Sequence, residues 1–79
     1  MAISRALSLP APVAVAAGGG RPRSVDGRAV EAVRDSWLVE DRWWTEAPVS
    51  RRYWELVTAG GRNELVFRDR IAGRWWRQR

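Results

Sequence analysis

Two glycine-containing turns constrain this chain more than any other feature. Asp26-Gly27 and Gly60-Gly61 each separate segments rich in β-prone residues, and such dipeptides supply the positive φ angles that tight hairpin turns require. Arg21 to Val25 leads into the first turn. The returning segment from Arg28 carries Val30, Val33, Trp37 and Val39, of which the last three share a face if the chain is extended. A helix over residues 25–33 competes with that reading. Residues 51–58 predict a strand with Tyr53, Glu55 and Val57 on one side and Arg52, Trp54, Leu56 and Thr58 on the other. After Gly60-Gly61, residues 63–69 place Leu65 and Phe67 on one face and Val66 on the other. Ile71-Ala72-Gly73 then turns into a last strand over residues 74–78. The expected fold is all-β: a small antiparallel meander of about five strands, curled or closed into a partial barrel because an open sheet would leave an apolar face in water.

Composition shifts at Gly18-Gly19-Gly20, which reads as a linker or turn. Residues 1–20 are accordingly separated from a single β domain over residues 21–79. The first 17 residues are rich in Ala, Val and Leu with one charge, Arg5, and Ala14-Val15-Ala16-Ala17 has the look of a leader cleavage site. Pro10 and Pro12 speak against a helical leader. The alternatives are a disordered tail, a translation start placed too far upstream, or an edge strand over residues 12–17 with proline at its start.

The chain has 79 residues and contains neither Cys nor His. A domain of this size buries only about 60% of its unfolded surface, and here neither disulfides nor the usual zinc frameworks are available to reinforce it. The same absence removes imidazole and thiol from the catalytic repertoire. Glu40, Asp41 and Glu46 have no separated carboxylate cluster to partner them in a two-carboxylate hydrolase. Gly18-Gly19-Gly20 lacks the strand-loop-helix context and the Lys of a phosphate loop, and no amphipathic helix is long enough for a membrane surface. The expectation is a cytoplasmic, non-enzymatic protein without catalytic, cofactor or metal residues.

All basic residues are arginine: 14 Arg and no Lys against 9 acids, a formal charge of +5. G- and C-rich coding DNA produces the same bias, so the net sign carries the argument and the residue choice does not. A positive balance favours acidic or polyanionic partners. Because the arginines alternate with acids, Arg51-Arg52 and Arg68-Asp69-Arg70 also read as solvated faces paired across strands to Glu55 or Glu64.

Six tryptophans are first of all core material, each burying roughly 150–250 Å². Trp37, Trp54 and Trp75 fall within predicted strands, and with Val33, Val39, Leu56, Leu65 and Phe67 they make the candidate core. The adjacent pairs Trp43-Trp44 and Trp75-Trp76 resist that account, because neighbours on a strand face opposite sides of a sheet. One member of each pair is expected at the surface. The candidate binding surface is therefore Arg42, Trp43, Trp44, Arg51, Arg52, Arg74, Trp76 and Arg77, suited to a protein hot spot or to base stacking.

The run Ser36-Trp37-Leu38-Val39-Glu40-Asp41-Arg42-Trp43-Trp44, with Pro48, Arg51-Arg52-Tyr53-Trp54, Val66-Phe67-Arg68-Asp69 and Gly73-Arg74-Trp75-Trp76-Arg77-Gln78-Arg79, resembles a small bacterial Trp- and Arg-rich domain of unknown function. That domain occurs as short stand-alone proteins, and related sequence ends the ImuB-type proteins. These are Y-family polymerase homologues of the actinobacterial mutasome that have lost polymerase activity and act as hubs. The resemblance spans residues 21–79 and implies an interaction module in DNA repair or translesion synthesis, with another protein as partner. Two alternatives stand beside it: a single-stranded nucleic-acid binder using exposed Trp and Arg, and a structural subunit that pairs its strand edges with another chain.

Overall fold

The computed structural model describes residues 9–42 and 44–78. They form an antiparallel sheet of seven strands: β1 (Ala11–Pro12), β2 (Val15–Gly18), β3 (Arg21–Val25), β4 (Arg28–Asp41), β5 (Val49–Thr58), β6 (Arg62–Asp69) and β7 (Arg74–Arg77). Their spatial order is β1-β7-β6-β5-β4-β3-β2. From β2 to β7 each strand pairs with its neighbour in sequence. The fold is the all-β meander, curled into a half-barrel.

At the first hairpin, Asp26 (φ 49°) and Gly27 (φ 80°) both adopt left-handed backbone, and Val25 lies opposite Arg28. Those signs define the primed turn whose twist matches paired strands. The turn also disposes of the helix over residues 25–33, because the chain reverses inside that window.

Only Val13 and Ala14 separate β1 from β2, yet the two strands lie on opposite edges of the sheet. The Val13 amide donates to the Trp75 carbonyl at 3.4 Å, and the Asp26 amide donates to the Ala14 carbonyl at 2.7 Å. The Ala14 amide in turn donates to Asp26 Oδ1 at 3.2 Å. The segment therefore stitches the β7 edge to the β3 edge. It adds two strands to the five expected, and Pro12 is accommodated because it lies on a short edge opposite Trp76. Residues 1–8 lie outside the described residues.

The inner face of the curl carries the core: Val25, Leu56 and Val66 are fully buried and Trp54 nearly so. Val13, Val15, Val30 and Trp75 pack against them, with the Trp54 and Trp75 rings 5.1 Å apart and tilted by 39°. The closing segment thus supplies apolar contacts as well as hydrogen bonds. Each large side chain buried here contributes about 1.5–3 kcal/mol relative to exposure.

A charged cluster shares this interior. Glu64, whose side chain is 5% exposed, is gripped by Arg28 and by Arg77, the latter at 2.9 Å. Thr58 Oγ1 donates to the same carboxylate at 3.2 Å. Arg77 also reaches Asp26 at 2.8 Å, so the cluster joins the first hairpin to β5, β6 and β7. Burial pushes the Glu64 carboxyl up, but the hydrogen bond from Arg28 and the charges of Arg77 and Arg28 outweigh it and hold the group below its ordinary range. Asp26 is likewise held low, first by its hydrogen bond from Arg77 and then by the Ala14 amide.

Three expected core residues are not in the core: Val33 and Trp37 are each 38% exposed and Val39 36%. Two features of β4 explain this. Its pairing with β5 slips between Val30 and Ala32 and again between Val33 and Asp35, and each bulge turns the following residues over. Val33 therefore sits opposite Leu56 on the inner face, while Trp37 and Val39 sit opposite Tyr53 and Arg51 on the outer face. Beyond Ala29, moreover, β4 has no strand on its far side among the described residues. Of the other candidates, Trp54, Leu56 and Phe67 are buried and Leu65 and Trp75 half-buried. Phe67 is 2% exposed although it lies on the outer face.

Candidate functional site

Strand register sorts the aromatic rings and the charges onto different faces. On the outer face Trp37 of β4 lies opposite Tyr53 of β5, Tyr53 opposite Phe67 of β6, and Phe67 opposite Trp76 of β7. These rings form a row across four strands. Trp37 and Tyr53 stack with centroids 5.4 Å apart and planes within 4° of parallel, and Tyr53 meets Phe67 at 5.0 Å with a 39° tilt. Cross-strand aromatic pairs of this kind each contribute about 0.2–1 kcal/mol to the sheet.

Arg51, one step along β5, closes over the row. Its guanidinium sits 4.6 Å from the Phe67 centroid, and Nη1 donates to the Tyr53 hydroxyl at 3.3 Å. Phe67 is thereby buried without a second layer of structure. The same register places Asp35, Glu55, Asp41 and Asp69 on the outer face with Arg51 and Arg74. The face is aromatic and of mixed charge, not basic. Asp69 caps the turn into β7, its Oδ1 accepting from the Ile71 and Ala72 amides at 2.9 and 3.0 Å, and the Ala72 bond chiefly holds its carboxyl low.

The inner face has a different mouth. Arg52 lies opposite Arg68, and Arg68 opposite Trp75, beside an open pocket of about 310 Å³ lined by Ala17, Gly20, Trp54, Arg68, Gly73 and Trp75. Among the described residues neither arginine pairs with a carboxylate. Arg52 donates instead to Ser36 Oγ at 3.0 Å.

The structure therefore divides the eight candidate binding residues. Arg51, Arg74 and Trp76 join the outer face; Arg52 belongs to the inner mouth; Arg42 and Trp44 are exposed in the β4–β5 connection, Trp44 at 67%. Trp43 lies outside the described residues. Arg77 is corrected from surface contact to structural tie, because its guanidinium is committed to Glu64 and Asp26. Pairing of the arginine runs with Glu55 or Glu64 is also corrected: Glu64 is taken by Arg28 and Arg77, and Arg70 reaches Glu40 at 3.5 Å.

Trp37, Tyr53 and Phe67 are the members of the outer-face row that the sequence reading did not assign to the surface. For Tyr53 and Phe67 a signal existed, since both lie a similar distance from Gly60-Gly61 and a tight turn brings such positions together. Among the described residues no group of His, Cys, Asp and Glu is arranged to hold a metal ion, and no helix is long and apolar enough to cross a membrane. Compared with family models, with curated proteins and with solved structures, the chain matches none.

Proposed function

We propose that this chain is a non-catalytic protein-interaction module whose partner docks on the outer face along Trp37, Tyr53, Trp76 and the Arg51 that covers Phe67. The observation that carries the reading is the aromatic row across four strands, with Trp37 exposed at one end, Tyr53 and Trp76 half-buried, and Arg51 lying over the buried Phe67. Trp, Tyr and Arg are the residues that dominate protein hot spots. The central rings face one another or Arg51, which leaves them poor platforms for bases. Acidic residues on the same face work against a polyanion there.

The motif resemblance supports a partner in bacterial DNA repair, within a translesion polymerase assembly. Purification of the tagged chain from DNA-damaged cells tests this, with Trp37→Ala and Trp76→Ala alongside. The parent should recover repair proteins and both variants should lose them. Recovery of nothing above background by the parent sinks the repair assignment, and equal recovery by all three moves the contact off this face.

A second reading, single-stranded nucleic-acid binding, is favoured by the unneutralised Arg52 and Arg68 beside Trp75. It predicts tryptophan quenching by an oligonucleotide at low salt, weakening as salt rises. A flat titration excludes it.

A further inference from the structure

We propose that the inner mouth binds a single nucleoside monophosphate, its base set in the pocket beside Trp75 and its phosphate on Arg68 and Arg52. The inference rests on the second reading for its two arginines and takes one nucleotide in place of a strand. Trp54 and Trp75 wall the pocket, while Ala17 of β2, Gly20 of the turn after it and Gly73 of the β6–β7 turn leave its rim open. At about 310 Å³ it stands at the lower end of the range for small-molecule sites. That is room for one base and its sugar, not for the run of nucleotides that a strand-binding groove tracks. Arg68 lines the opening, and an added Cβ at Gly73 would lie 3.8 Å from Arg68 Nη2, which places the guanidinium at the lip.

Charge names the anionic end of the ligand. Three other arginines around the interior are matched, Arg28 and Arg77 by Glu64 and Asp26 and Arg70 by Glu40 at 3.5 Å. Arg52 and Arg68, directly opposite each other on neighbouring strands, meet no carboxylate among the described residues. Like charges so placed repel, and one dianion relieves both where a carboxylate would match only one. A phosphomonoester carries about −1.5 to −2 at pH 7 and offers three acceptor oxygens, and the guanidinium fork meets phosphate with two parallel bonds. Arg52 is lightly held: its Nε donates to a neutral acceptor, Ser36 Oγ, at 3.0 Å, a weaker bond than one to an ionised oxygen.

The tryptophans name the other end. Their rings are 5.1 Å apart and tilted by 39°, so they do not close flat on each other, and Trp75 is half-buried. An indole face stacks on any base, which makes the ligand class nucleoside monophosphates as a group. The mouth and the outer face are separate surfaces, and this site stands whether or not a partner protein docks on the rings.

Isothermal titration calorimetry of the full chain at low salt, with adenosine monophosphate, adenosine and inorganic phosphate, provides the test. The monophosphate should bind at least about tenfold tighter than either part, and Arg68→Gln and Arg52→Gln should each weaken it by about tenfold. No binding of the monophosphate overturns the proposal, as does equal affinity for adenosine or for phosphate alone. So does an Arg68→Gln variant that keeps the parent's circular dichroism and binds like the parent. An oligonucleotide with and without a 5′-phosphate separates the sources of the ligand. Binding that requires the 5′-phosphate supports the proposal with a strand end as the source. Binding of the monophosphate and of neither oligonucleotide supports it with free nucleotide as the source, and removes only the strand reading. Equal binding of both oligonucleotides, with none of the monophosphate, keeps the strand reading and overturns this one.

Discussion

The Arg51 guanidinium lies 4.6 Å from the centre of the Phe67 ring and acts as the cover that a second layer of structure would otherwise provide. Its removal should therefore cost packing as well as charge. We predict that Arg51→Ala lowers unfolding free energy by about 1 kcal/mol, and that Arg51→Lys recovers only part, since an ammonium lacks the planar stack. Urea unfolding measures both. Full rescue by Lys would show that charge alone matters at this position.

Acid should weaken the barrel through Glu64 and Asp26. Both carboxyls are held below their ordinary values in the folded protein, so their contribution is present above the unfolded values and is lost as pH falls through the folded ones. Melting temperature should fall progressively as pH drops below about 5. Glu64→Gln should flatten that dependence while costing about 3 kcal/mol at neutral pH, because it leaves Arg28 and Arg77 without their shared partner. A variant as acid-sensitive as the parent would assign the effect elsewhere.

Leu56 and Trp37 separate stability from recognition. Leu56 is fully buried and Trp37 is 38% exposed, so Leu56→Ala should cost about 2–5 kcal/mol and Trp37→Ala about 1 kcal/mol or less. In a domain whose total stability is about 4–12 kcal/mol, the first change approaches unfolding. Thermal melts of the two variants check the ranking, and a reversal would place the core on the wrong face.

Arg52 and Arg68 stand directly opposite each other, an arrangement that costs about 0.2–1 kcal/mol when charges are alike. Arg68→Gln should raise the melting temperature at low salt, and the gain should shrink as salt screens the parent's repulsion. Loss of stability instead would mean that the Arg68 stem packs against Trp75 strongly enough to outweigh its charge.

The turns were the most legible part of the fold. Asp26-Gly27 fixed a reversal, and the alternation of residues 51–58 gave the correct two faces of β5, with Leu56 and Trp54 inward. The β4 faces were not legible, because a bulge adds one backbone residue without any composition that announces it. That is why Val33 and Trp37, four apart in sequence, lie on opposite faces. Trp37 could not be matched to Tyr53 either, since the long β4–β5 connection does not set a register as a tight turn does. The commitment of Arg77 to Asp26 was hidden for another reason. It depends on β6 and β7 meeting the first hairpin across the interior, a contact spanning 51 residues between Asp26 and Arg77.

The stitching of both sheet edges by the segment around Val13 sets the timetable of folding. On the ribosome β1 and β2 emerge first, but β1 pairs with β7, the last strand to appear. Until Trp76 and Arg77 have left the exit tunnel, Ala11 and Pro12 lack their partners and the nascent sheet must wait with one seam unsewn. Closing so distant a pairing carries the largest loop entropy in the sheet, so the seam should form after the local hairpins do. During that interval the waiting edges are exposed to other nascent chains and to chaperones.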